Sequence, residues 1–442
     1  MCAEPPTPGS GTRARPTTPE AAERVEPTAP ESAARAEPTA PGSATHIDPT
    51  YPATTTETSA DTQPTPIETA GQAEPNVPGS VVHTVPGVAG SGARWARLSS
   101  MTVDALTDVA GVRVGHATRS GDGWLTGTTV VLAPEGGAVA AVDVRGGGPG
   151  TKETDALDPR NLVQRVDAIV LTGGSAYGLD AASGVMAWLE EQGRGVRVGV
   201  DPAHVVPVVP AACVFDLGRG GDFKARPDAA TGRAAVEAAA ISGPGARVRE
   251  GCVGAGTGAV VGALKGGVGT ASIVLESGVT VAALVVANAA GSATDPETGV
   301  LYGELFQGRA EYPEPHVHEA AQLRLTEAAE KNAPPPLNTT LAVVATDAEL
   351  TKAQAQKLAG TAHDGIARAV RPVHLLNDGD TVFTLATGTR PLDAENPLAL
   401  NEVLAAGAEV VTRAIVRAVR AAEPVDGPGG TWPSYEELYG RR

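Results

Sequence analysis

The sequence predicts an α+β protein built from stacked layers, and two patterns lead to this fold class. Short apolar runs bounded by glycine are interspersed with longer stretches of amphipathic spacing, so strands and helices are both present. Predicted strands follow one another directly in the middle of the chain, which is typical of an antiparallel sheet and differs from the alternating units of a Rossmann sheet. Helices and sheets therefore separate into layers.

The first predicted elements are strands and two helices. The strands are GTTVVLA, GAVAAVDV and VDAIVLTG, and glycine-rich turns lie beside them. The first helix is GLDAASGVMAWLEEQG, because its apolar residues recur at helical spacing and the pattern ends at glycine. GRAAVEAAA is the second predicted helix.

The later elements begin with the successive strands GAVVGALKGG, ASIVLES and VTVAALVVAN. A strand TTLAVVATD follows, and then a helix from about Thr351 to Val370. The segment NDGD, at 377–380, predicts a hairpin turn between PVHLL and TVFTLATG. The amphipathic pattern of NEVLAAGAEVVTRAIVRAVRAA predicts a closing helix.

Composition divides the chain of 442 residues into a tail and one large domain. Residues 1–100 are rich in Pro, Thr, Ala and Glu, and EPTAPESA nearly repeats as EPTAPGSA. Such a segment buries too little apolar surface to offset its chain entropy. We therefore predict a disordered tail, with Met101 as a second candidate translation start.

Charge and cysteine content indicate a small-molecule partner in a reducing compartment. A net charge of −17 argues against contact with nucleic acid or an anionic membrane, and no long apolar run directs the chain into a membrane. Cys2, Cys213 and Cys252 lack the spacing of a disulfide framework or a zinc site. We expect a cytoplasmic protein.

Several motifs have both a structural and a chemical interpretation. LTGGSAYG places Ser175 between a strand and a helix, as in a hydrolase elbow, but Tyr177 stands where that motif needs glycine. A turn that allows close packing is the simpler explanation. The glycine-rich stretch around Lys265 matches no phosphate-loop motif. We assign no metal, because His316 and His318 are separated by one residue in a proline-rich loop.

Three polar residues near strand ends also have ordinary structural explanations. Asn288 closes VTVAALVVAN and is by default a strand-end residue bonded to local backbone. Asp378 fits the turn NDGD, but the turn leaves Asp380 unexplained. Two carboxylates one residue apart share a face of a strand, so their proximity is expected to raise the pKa of one of them.

The segment Asn-Thr-Thr at the start of TTLAVVATD predicts self-cleavage. A cut between Asn338 and Thr339 would give Thr339 a free α-amine, which can act as the general base for its own hydroxyl. A rigid strand start holds such a nucleophile toward a pocket. This hypothesis divides the domain into a large subunit, 101–338, and a small subunit, 339–442. Its chemistry requires no cofactor.

Seven motifs occur in the order DVAGVRVGHAT, DVRGGGPGTKETDALDP, IVLTGGSAYGLDAASGVMAWLEE, GAGTGA, VVAN, NTTLAVVATDA and RPVHLLNDGDTVF. Together, over about 104–421, they resemble the self-processing DmpA-type family, which contains L-aminopeptidase/D-Ala-esterase/amidases, β-aminopeptidases and nylon-oligomer hydrolases. The resemblance implies a layered αββα fold of the N-terminal-nucleophile hydrolase type. It also implies two fragments that stay together, and usually a homo-oligomer of processed heterodimers.

The resemblance assigns the central roles of the predicted site. It makes Thr339 the nucleophile and Asn338 the residue left of the cut, with Asp378 and Asp380 as the carboxylates that orient the amine and hydroxyl. Aminopeptidase members use serine with a Ser-x-Glu pair. Threonine with Asp-Gly-Asp therefore places this chain closer to the nylon-oligomer (6-aminohexanoate-oligomer) hydrolases.

The remaining roles carried by the resemblance concern residues around that centre. Asn288 resembles the oxyanion donor, and Lys265 resembles the lysine near the nucleophile. Tyr177 lies in a shared motif and is the predicted substrate contact.

Three functions remain open from the sequence. The leading one is an autoprocessing amide hydrolase that acts on small amides, short peptides or ω-amino-acid oligomers. The second is a non-catalytic ligand-binding or scaffold protein on the same fold, and the third is a serine hydrolase that uses Ser175. The sequence determines neither the substrate nor the oligomer size.

Overall fold

The computed structural model describes residues 102–332 and 337–440. The predicted tail, residues 1–100, and the candidate start Met101 lie outside the described residues. The prolines 334–336, which precede the Asn-Thr-Thr segment, also lie outside them.

Strands and helices are both distributed along the described chain. Its strands are β1 (Arg113–Gly121), β2 (Trp124–Leu132), β3 (Ala138–Val144), β4 (Thr151–Lys152), β5 (Arg165–Val166), β6 (Ala168–Thr172), β7 (Val196–Arg197), β8 (Val205–Val206), β9 (Ala211–Cys213), β10 (Val260–Val261), β11 (Leu264–Lys265), β12 (Gly267–Val274), β13 (Thr280–Ala287), β14 (Leu341–Ala348), β15 (Thr381–Arg390), β16 (Val425–Gly427) and β17 (Gly430–Trp432). Its α-helices are α1 (Ser175–Gly178), α2 (Ala181–Glu191), α3 (Ala229–Ile241), α4 (Tyr302–Phe306), α5 (Pro315–Lys331), α6 (Lys352–Ala369), α7 (Ala399–Arg420) and α8 (Tyr435–Tyr439). Short 3-10 helices occur at Leu106–Asp108, Asp155–Leu157 and Gly254–Gly256.

Two sheets form the centre of the fold. The first has the strand order β1-β2-β6-β9-β4, and the second has the order β12-β13-β14-β15-β3-β5. In the second sheet β12 and β13 are antiparallel neighbours, as predicted for ASIVLES and VTVAALVVAN. The single strand predicted at GAVVGALKGG is wrong, because this segment forms the separate hairpin of β10 and β11. Strand β14 is antiparallel to β13, whereas β14 and β15 run parallel. A parallel pair needs a crossover connection, and helix α6 lies in the connection between these two strands.

The two sheets pack against each other through alternating side chains. Val131 of β2 belongs to the core between the sheets, together with Leu284 and Phe383 of the second sheet. Its neighbours Val130 and Leu132 belong to the core under helices α2 and α3. Successive side chains of a strand point to opposite faces, so one strand contributes to both cores.

Helices cover the outer faces of both sheets. Helices α2 and α3 pack on the first sheet, while α6 and α7 pack on the second. On the second sheet, Val285 and Val344 share a core with Leu358 of α6 and Val411 of α7. The resulting order of helix, sheet, sheet and helix is the αββα layering that the sequence resemblance implies.

Local sequence patterns place α6 and α7 within two residues of their observed ends, and the predicted α2 and α3 start within three residues of the observed helices. The helix expected from Thr351 to Val370 is α6, and Thr351 is its N-cap, since the hydroxyl accepts from the Gln354 N–H at 3.2 Å. His316 and His318 lie in the first turns of α5 and not in a loop. Pro315 is compatible with this start, because proline fits the first turn of a helix.

The hairpin predicted at NDGD is wrong. Residues 371–380 form an irregular segment, and only TVFTLATG continues as a strand, β15. The neighbours of β15 are β14 and β3, so the polar residues of NDGD lie at the start of a central strand. Their partners are therefore residues distant in sequence and not the two sides of a local turn.

Within 102–332 and 337–440, no helix is long and apolar enough to cross a membrane. In the same ranges Cys213 is buried and Cys252 is half-buried, and both are free thiols.

Candidate active site

Three strands of the second sheet bring the predicted site residues together. Asn338 and Thr339 precede β14, and Asp378 and Asp380 precede β15. Because β14 and β15 are parallel neighbours, these two strand starts lie side by side, and Asn338 pairs with Asp378 in an isolated bridge. Asn288 follows β13. Because β13 is antiparallel to β14, the end of β13 lies beside the start of β14. The sheet topology thus assembles a site from three separate sequence segments.

The peptide bond before Thr339 is held by hydrogen bonds on both sides. The Thr339 hydroxyl donates to the carbonyl oxygen of Asn338 at 2.5 Å, and the backbone N–H of Gly379 donates to the same oxygen at 3.0 Å. The N–H of Thr339 donates to the backbone carbonyl oxygen of Asn288 at 2.7 Å. Thr339 is 4% exposed, so bulk water has little access to this bond.

The two aspartates fix the strand starts through backbone donors. Asp380 Oδ1 accepts from the N–H of Thr340 at 2.7 Å, and its Oδ2 accepts from the N–H of His374 at 3.1 Å. The same Oδ2 lies 2.7 Å from the ring nitrogen Nδ1 of His374. Asp378 Oδ2 accepts from the N–H of Leu375 at 3.0 Å. Both carboxyl groups are buried, and each is held by the backbone.

The carboxyl group of Asp378 has a raised pKa. Burial is the largest cause, and the nearby Asp380 carboxylate raises the pKa further, while the hydrogen bond from the Leu375 N–H acts in the opposite direction. The direction agrees with the expectation for the pair, but burial contributes more to it than the neighbouring carboxylate does. Asp378 therefore keeps its proton to a higher pH than an exposed aspartate, which suits a group that takes part in proton transfer.

Asn288 has a side-chain orientation fixed by two donors. Its Oδ1 accepts from Arg219 Nη1 at 2.5 Å and from the N–H of Val260 at 3.0 Å. Its amide nitrogen Nδ2 is buried and has no hydrogen-bond partner among the described residues. A buried donor without a partner is costly, so Nδ2 is available for an oxygen that develops negative charge.

Arg219 is a residue of this site that the sequence analysis missed. It is 6% exposed, and it donates from Nη1 to the carbonyl oxygen of Gly258 at 2.6 Å and from Nη2 to Asn338 Oδ1 at 3.1 Å. Burial lowers the pKa of Arg219 to about 10, which still leaves the side chain protonated at neutral pH. Its signal in the sequence is a lone charge among glycines, GRGG, which is too common to identify a buried arginine.

Lys265 supports the segment that holds Asn288. Its buried Nζ donates to the carbonyl oxygens of Gly256 at 3.3 Å, Ala259 at 2.8 Å and Gly266 at 2.8 Å. Burial lowers the pKa of Lys265 to about 8. These bonds brace the glycine-rich segment that presents the Val260 N–H to Asn288, and they do not reach Thr339. The contacts are those of a positioning residue.

A glycine-rich loop at 145–150 packs beside Asp378 and Gly379. The N–H of Gly148 donates to the carbonyl oxygen of Asp378 at 2.7 Å. A Cβ added at Gly379 would lie 2.5 Å from the Thr339 hydroxyl oxygen and 3.1 Å from the carbonyl oxygen of Gly148. Residue 379 therefore has to be glycine if the hydroxyl is to keep its place, a role that the turn interpretation of NDGD did not reveal.

Tyr177 and Ser175 lie apart from these hydrogen bonds, in the turn after β6 of the first sheet. The ring of Tyr177 is 56% exposed, and the guanidinium carbon of Arg226 lies 3.7 Å from its centre. The Ser175 hydroxyl has no hydrogen bond to any described residue. A serine nucleophile needs an adjacent base, so the local structure does not support the hydrolase interpretation of Ser175.

The assembled groups are those of amide hydrolysis. A hydroxyl and a backbone N–H donate to the oxygen of a carbonyl, an amide nitrogen without a partner lies buried at the end of the neighbouring strand, and two buried carboxyl groups precede the next strand. Among the described residues, no group of three or more His, Cys, Asp or Glu is arranged to hold a metal ion.

Comparison with known proteins gives one family. The family model described as Peptidase family S58 matches residues 104–432. The chain is similar to an uncharacterised aminopeptidase of Mycobacterium leprae, with 49% identity over 352 residues that cover 75% of this chain and 94% of the relative. It is also similar to a 6-aminohexanoate-oligomer endohydrolase of Kocuria sp., with 29% identity over 71% of this chain and 85% of the relative.

Solved structures give the same fold. A β-aminopeptidase of Burkholderia sp. matches with a TM-score of 0.58 at 26% identity, over 77% of this chain and 93% of that chain. The L-aminopeptidase D-Ala-esterase/amidase of Ochrobactrum anthropi, described as a variant of the Ntn hydrolase fold, matches with a TM-score of 0.57 at 23% identity, over 77% and 93% of the two chains. The predicted family resemblance and the predicted N-terminal-nucleophile hydrolase fold are confirmed.

Proposed function

This chain belongs to peptidase family S58 and is a hydrolase of amide bonds, and on that premise we propose that it first cleaves itself between Asn338 and Thr339. Thr339 then acts as an N-terminal nucleophile. The proposed substrates are small amides, short peptides with a free amine, or ω-amino-acid oligomers.

One observation carries this proposal. The Thr339 hydroxyl lies against the carbonyl group of the residue before it, at 2.5 Å from the oxygen, while Gly379 donates to that oxygen from the backbone. Attack of Oγ1 on the Asn338 carbonyl carbon forms a C–O bond, the C–N bond to Thr339 breaks, and the hydroxyl proton passes to the departing nitrogen, which leaves an ester and a free α-amine. Water then hydrolyses the ester and releases the carboxylate of Asn338.

Substrate turnover repeats the same chemistry with the new amine as base. The α-amine of Thr339 takes the hydroxyl proton, Oγ1 attacks the substrate carbonyl, and the departing amine receives the proton. The Gly379 N–H and Asn288 Nδ2 stabilise the oxyanion, at about 3 kcal/mol for one such donor. Asp380 holds the start of β14 through the Thr340 N–H, and Asp378 supplies the second carboxyl group. Lys265 positions Asn288 through the glycine-rich segment.

The proposal extends to the organisation of the protein. The processed enzyme consists of a large subunit, 101–338, and a small subunit, 339–442. The central sheet holds the two subunits together, because β14 and β15 of the small subunit pair with β13 and β3 of the large one. We place the enzyme in the cytoplasm as a homo-oligomer of processed heterodimers, with Tyr177 as a substrate contact.

A denaturing gel with N-terminal sequencing tests the processing step. We expect purified protein to run as two fragments, of which the smaller begins with Thr339. An intact chain that hydrolyses amides would contradict the proposal, and an intact chain without activity would favour a ligand-binding or scaffold protein on this fold.

A further inference from the structure

One nitrogen of the buried Arg219 side chain has its hydrogen-bond acceptor on Asn338, the residue before the proposed cut in the uncleaved chain. Arg219 Nη1 donates to Gly258 and to Asn288, and both of these partners stay in place after cleavage. Nη2 donates to the side-chain oxygen of Asn338 at 3.1 Å. After cleavage, Asn338 has to leave the site before a substrate can enter. Nη2 then loses its acceptor, while the two hydrogen bonds of Nη1 keep the guanidinium in place.

The scissile bond of the precursor shows where a substrate lies, if the proposed function is correct. The same hydroxyl, Thr339 Oγ1, and the same donors serve both processing and turnover. The carbonyl group of Asn338 therefore occupies the place of the substrate carbonyl, and the Asn338 side chain occupies the place of the substrate's acyl side chain. Arg219 lies at the end of that subsite.

We propose that Arg219 makes this enzyme selective for acyl groups that carry a carbonyl oxygen on the γ carbon, as in asparaginyl and aspartyl amides. With Asn338 in place Arg219 is 6% exposed, so a substrate side chain that fills the same space leaves little room for water at Nη2. A substrate with an oxygen at the position of Asn338 Oδ1 restores the hydrogen bond. An apolar side chain of the same shape leaves the buried Nη2 without an acceptor. A site built to hydrogen-bond a substrate strongly disfavours a substrate that lacks the matching atom.

The backbone around Asn338 indicates the position of the substrate amine. The N–H of Asn338 donates to the carbonyl oxygen of Asn377 at 3.1 Å. In an α-amino acid amide, the free amine takes the place of this N–H and finds the same acceptor. The subsite therefore combines an acceptor for an α-amine with a donor for a γ-oxygen, two features that asparagine and aspartate share.

The test compares three substrates on processed wild-type enzyme: the p-nitroanilides of asparagine, aspartate (through the α-carboxyl group) and leucine. Leucine is the matched control, because it branches at the γ carbon but carries no oxygen. We expect kcat/KM for asparagine, aspartate or both to exceed that for leucine by about 100-fold. The asparagine and aspartate arms separate a preference for a neutral oxygen from a preference for a carboxylate.

Replacing the arginine checks that it causes the preference. Arg219→Met keeps much of the side-chain length but removes the donors, and we expect the preference over leucine to fall to a few-fold, while Arg219→Lys retains part of it. If Arg219→Met does not fold or process, the wild-type substrate ratio decides the matter alone. Equal hydrolysis of all three substrates, or an unchanged ratio in folded Arg219→Met, would overturn the inference.

The proposed function can fail separately. Cleavage of ω-amino-acid oligomers with none of the three p-nitroanilides hydrolysed would overturn the γ-oxygen subsite and leave the amide hydrolase intact. Hydrolysis by Thr339→Ala at the wild-type rate, or no amide cleavage by processed wild-type protein, would instead refute Thr339 as the nucleophile.

Discussion

Two hydroxyl groups of this protein lie at strand ends of the two central sheets, and their surroundings differ. Ser175 follows β6 in a sharp turn, with a backbone φ of 51°, and its N–H donates to the carbonyl oxygen of Val214 at 3.0 Å. Thr339 precedes β14, and its hydroxyl contacts the Asn338 carbonyl in a buried site. The Ser175 turn has the shape of a nucleophile elbow, but its hydroxyl has no partner among the described residues.

The difference indicates that a candidate nucleophile is identified by the groups that contact its hydroxyl and not by the shape of the turn that carries it. The glycine before Ser175 is explained by packing, since a Cβ at Gly174 would lie 2.9 Å from the Pro227 side chain. Thr339 has an ordinary strand-start backbone, yet three segments converge on it. Strained local geometry alone is therefore a poor guide to the active site of this fold.

The largest expected effect separates the two hydroxyl groups directly. Thr339→Ala should remain a single chain and lose at least about 10⁴-fold in kcat, because it lacks the hydroxyl that we propose attacks both its own peptide bond and the substrate. Ser175→Ala should process and hydrolyse amides at the parent rate. Gel electrophoresis and p-nitroanilide or oligomer hydrolysis measure both results, and a comparable loss in Ser175→Ala would reverse the comparison.

The next effect concerns the two carboxyl groups at the strand start beside Thr339. Asp378→Asn and Asp380→Asn should each lower kcat by about 100-fold and slow processing, because each removes a carboxyl group that we propose orients the amine and hydroxyl of Thr339. Asp347→Asn is the matched control, since Asp347 is also buried and bonded but lies at the opposite end of β14, where it accepts from Thr280 and Arg390. The control is expected to affect stability and not kcat.

If folded Asp378→Asn and Asp380→Asn process and hydrolyse at the parent rate, both aspartates only hold the backbone in place through hydrogen bonds. A loss of kcat in Asp347→Asn equal to theirs would mean that the assay reports general damage to the sheet.

A smaller effect tests the space around the Thr339 hydroxyl. In Gly379→Ala the added methyl group would displace Oγ1, because a Cβ at residue 379 would lie only 2.5 Å from that oxygen. We expect a loss of kcat of about 10-fold with a small change in melting temperature. Gly243→Ala is the control, because a Cβ at that position meets nothing within 4 Å. Full activity of Gly379→Ala would show that the hydroxyl moves freely in the site.

The smallest effect is the pH dependence caused by Asp378. Its folded pKa is raised, so the stability that comes from its bound proton is present below the unfolded pKa and is lost as pH rises through the folded pKa. Asparagine cannot lose a proton. In the unprocessed Thr339→Ala background, Asp378→Asn should therefore raise the melting temperature relative to its parent increasingly from acid to neutral pH, by on the order of 2 °C. Thermal denaturation over a pH series measures this gap, and a constant or shrinking gap would refute the raised pKa.

The sequence predicts most elements because their signals are local. The alternating apolar residues of β13 and β14 and the amphipathic pattern of α7 indicate their structures without any knowledge of neighbours. The nucleophile hypothesis is also local, since Asn338 and Thr339 are adjacent in sequence and directly precede a strand. Motifs that occur in a fixed order then supplied the family and the remaining candidate residues.

The NDGD segment shows where local patterns are insufficient. Asp-Gly between two apolar runs has the composition of a hairpin turn, but the partner of Asp378 in the folded chain is Asn338, at the start of the neighbouring parallel strand. Composition describes how the backbone bends and does not reveal which distant strand it pairs with. The error concerned the pairing, whereas the choice of residues was unaffected by it.

The sequence by itself thus determined the layered α+β class, the family and the segment that carries the candidate nucleophile. Only the tertiary structure revealed Arg219, the Gly379 N–H and the bond between His374 and Asp380, and it placed Lys265 behind Asn288 and not against Thr339. The physical reason is that hydrogen bonds depend on distance in space. Arg219 and Asn338 are separated by 119 positions along the chain, and only the packing of the two sheets brings their side chains within 3.1 Å.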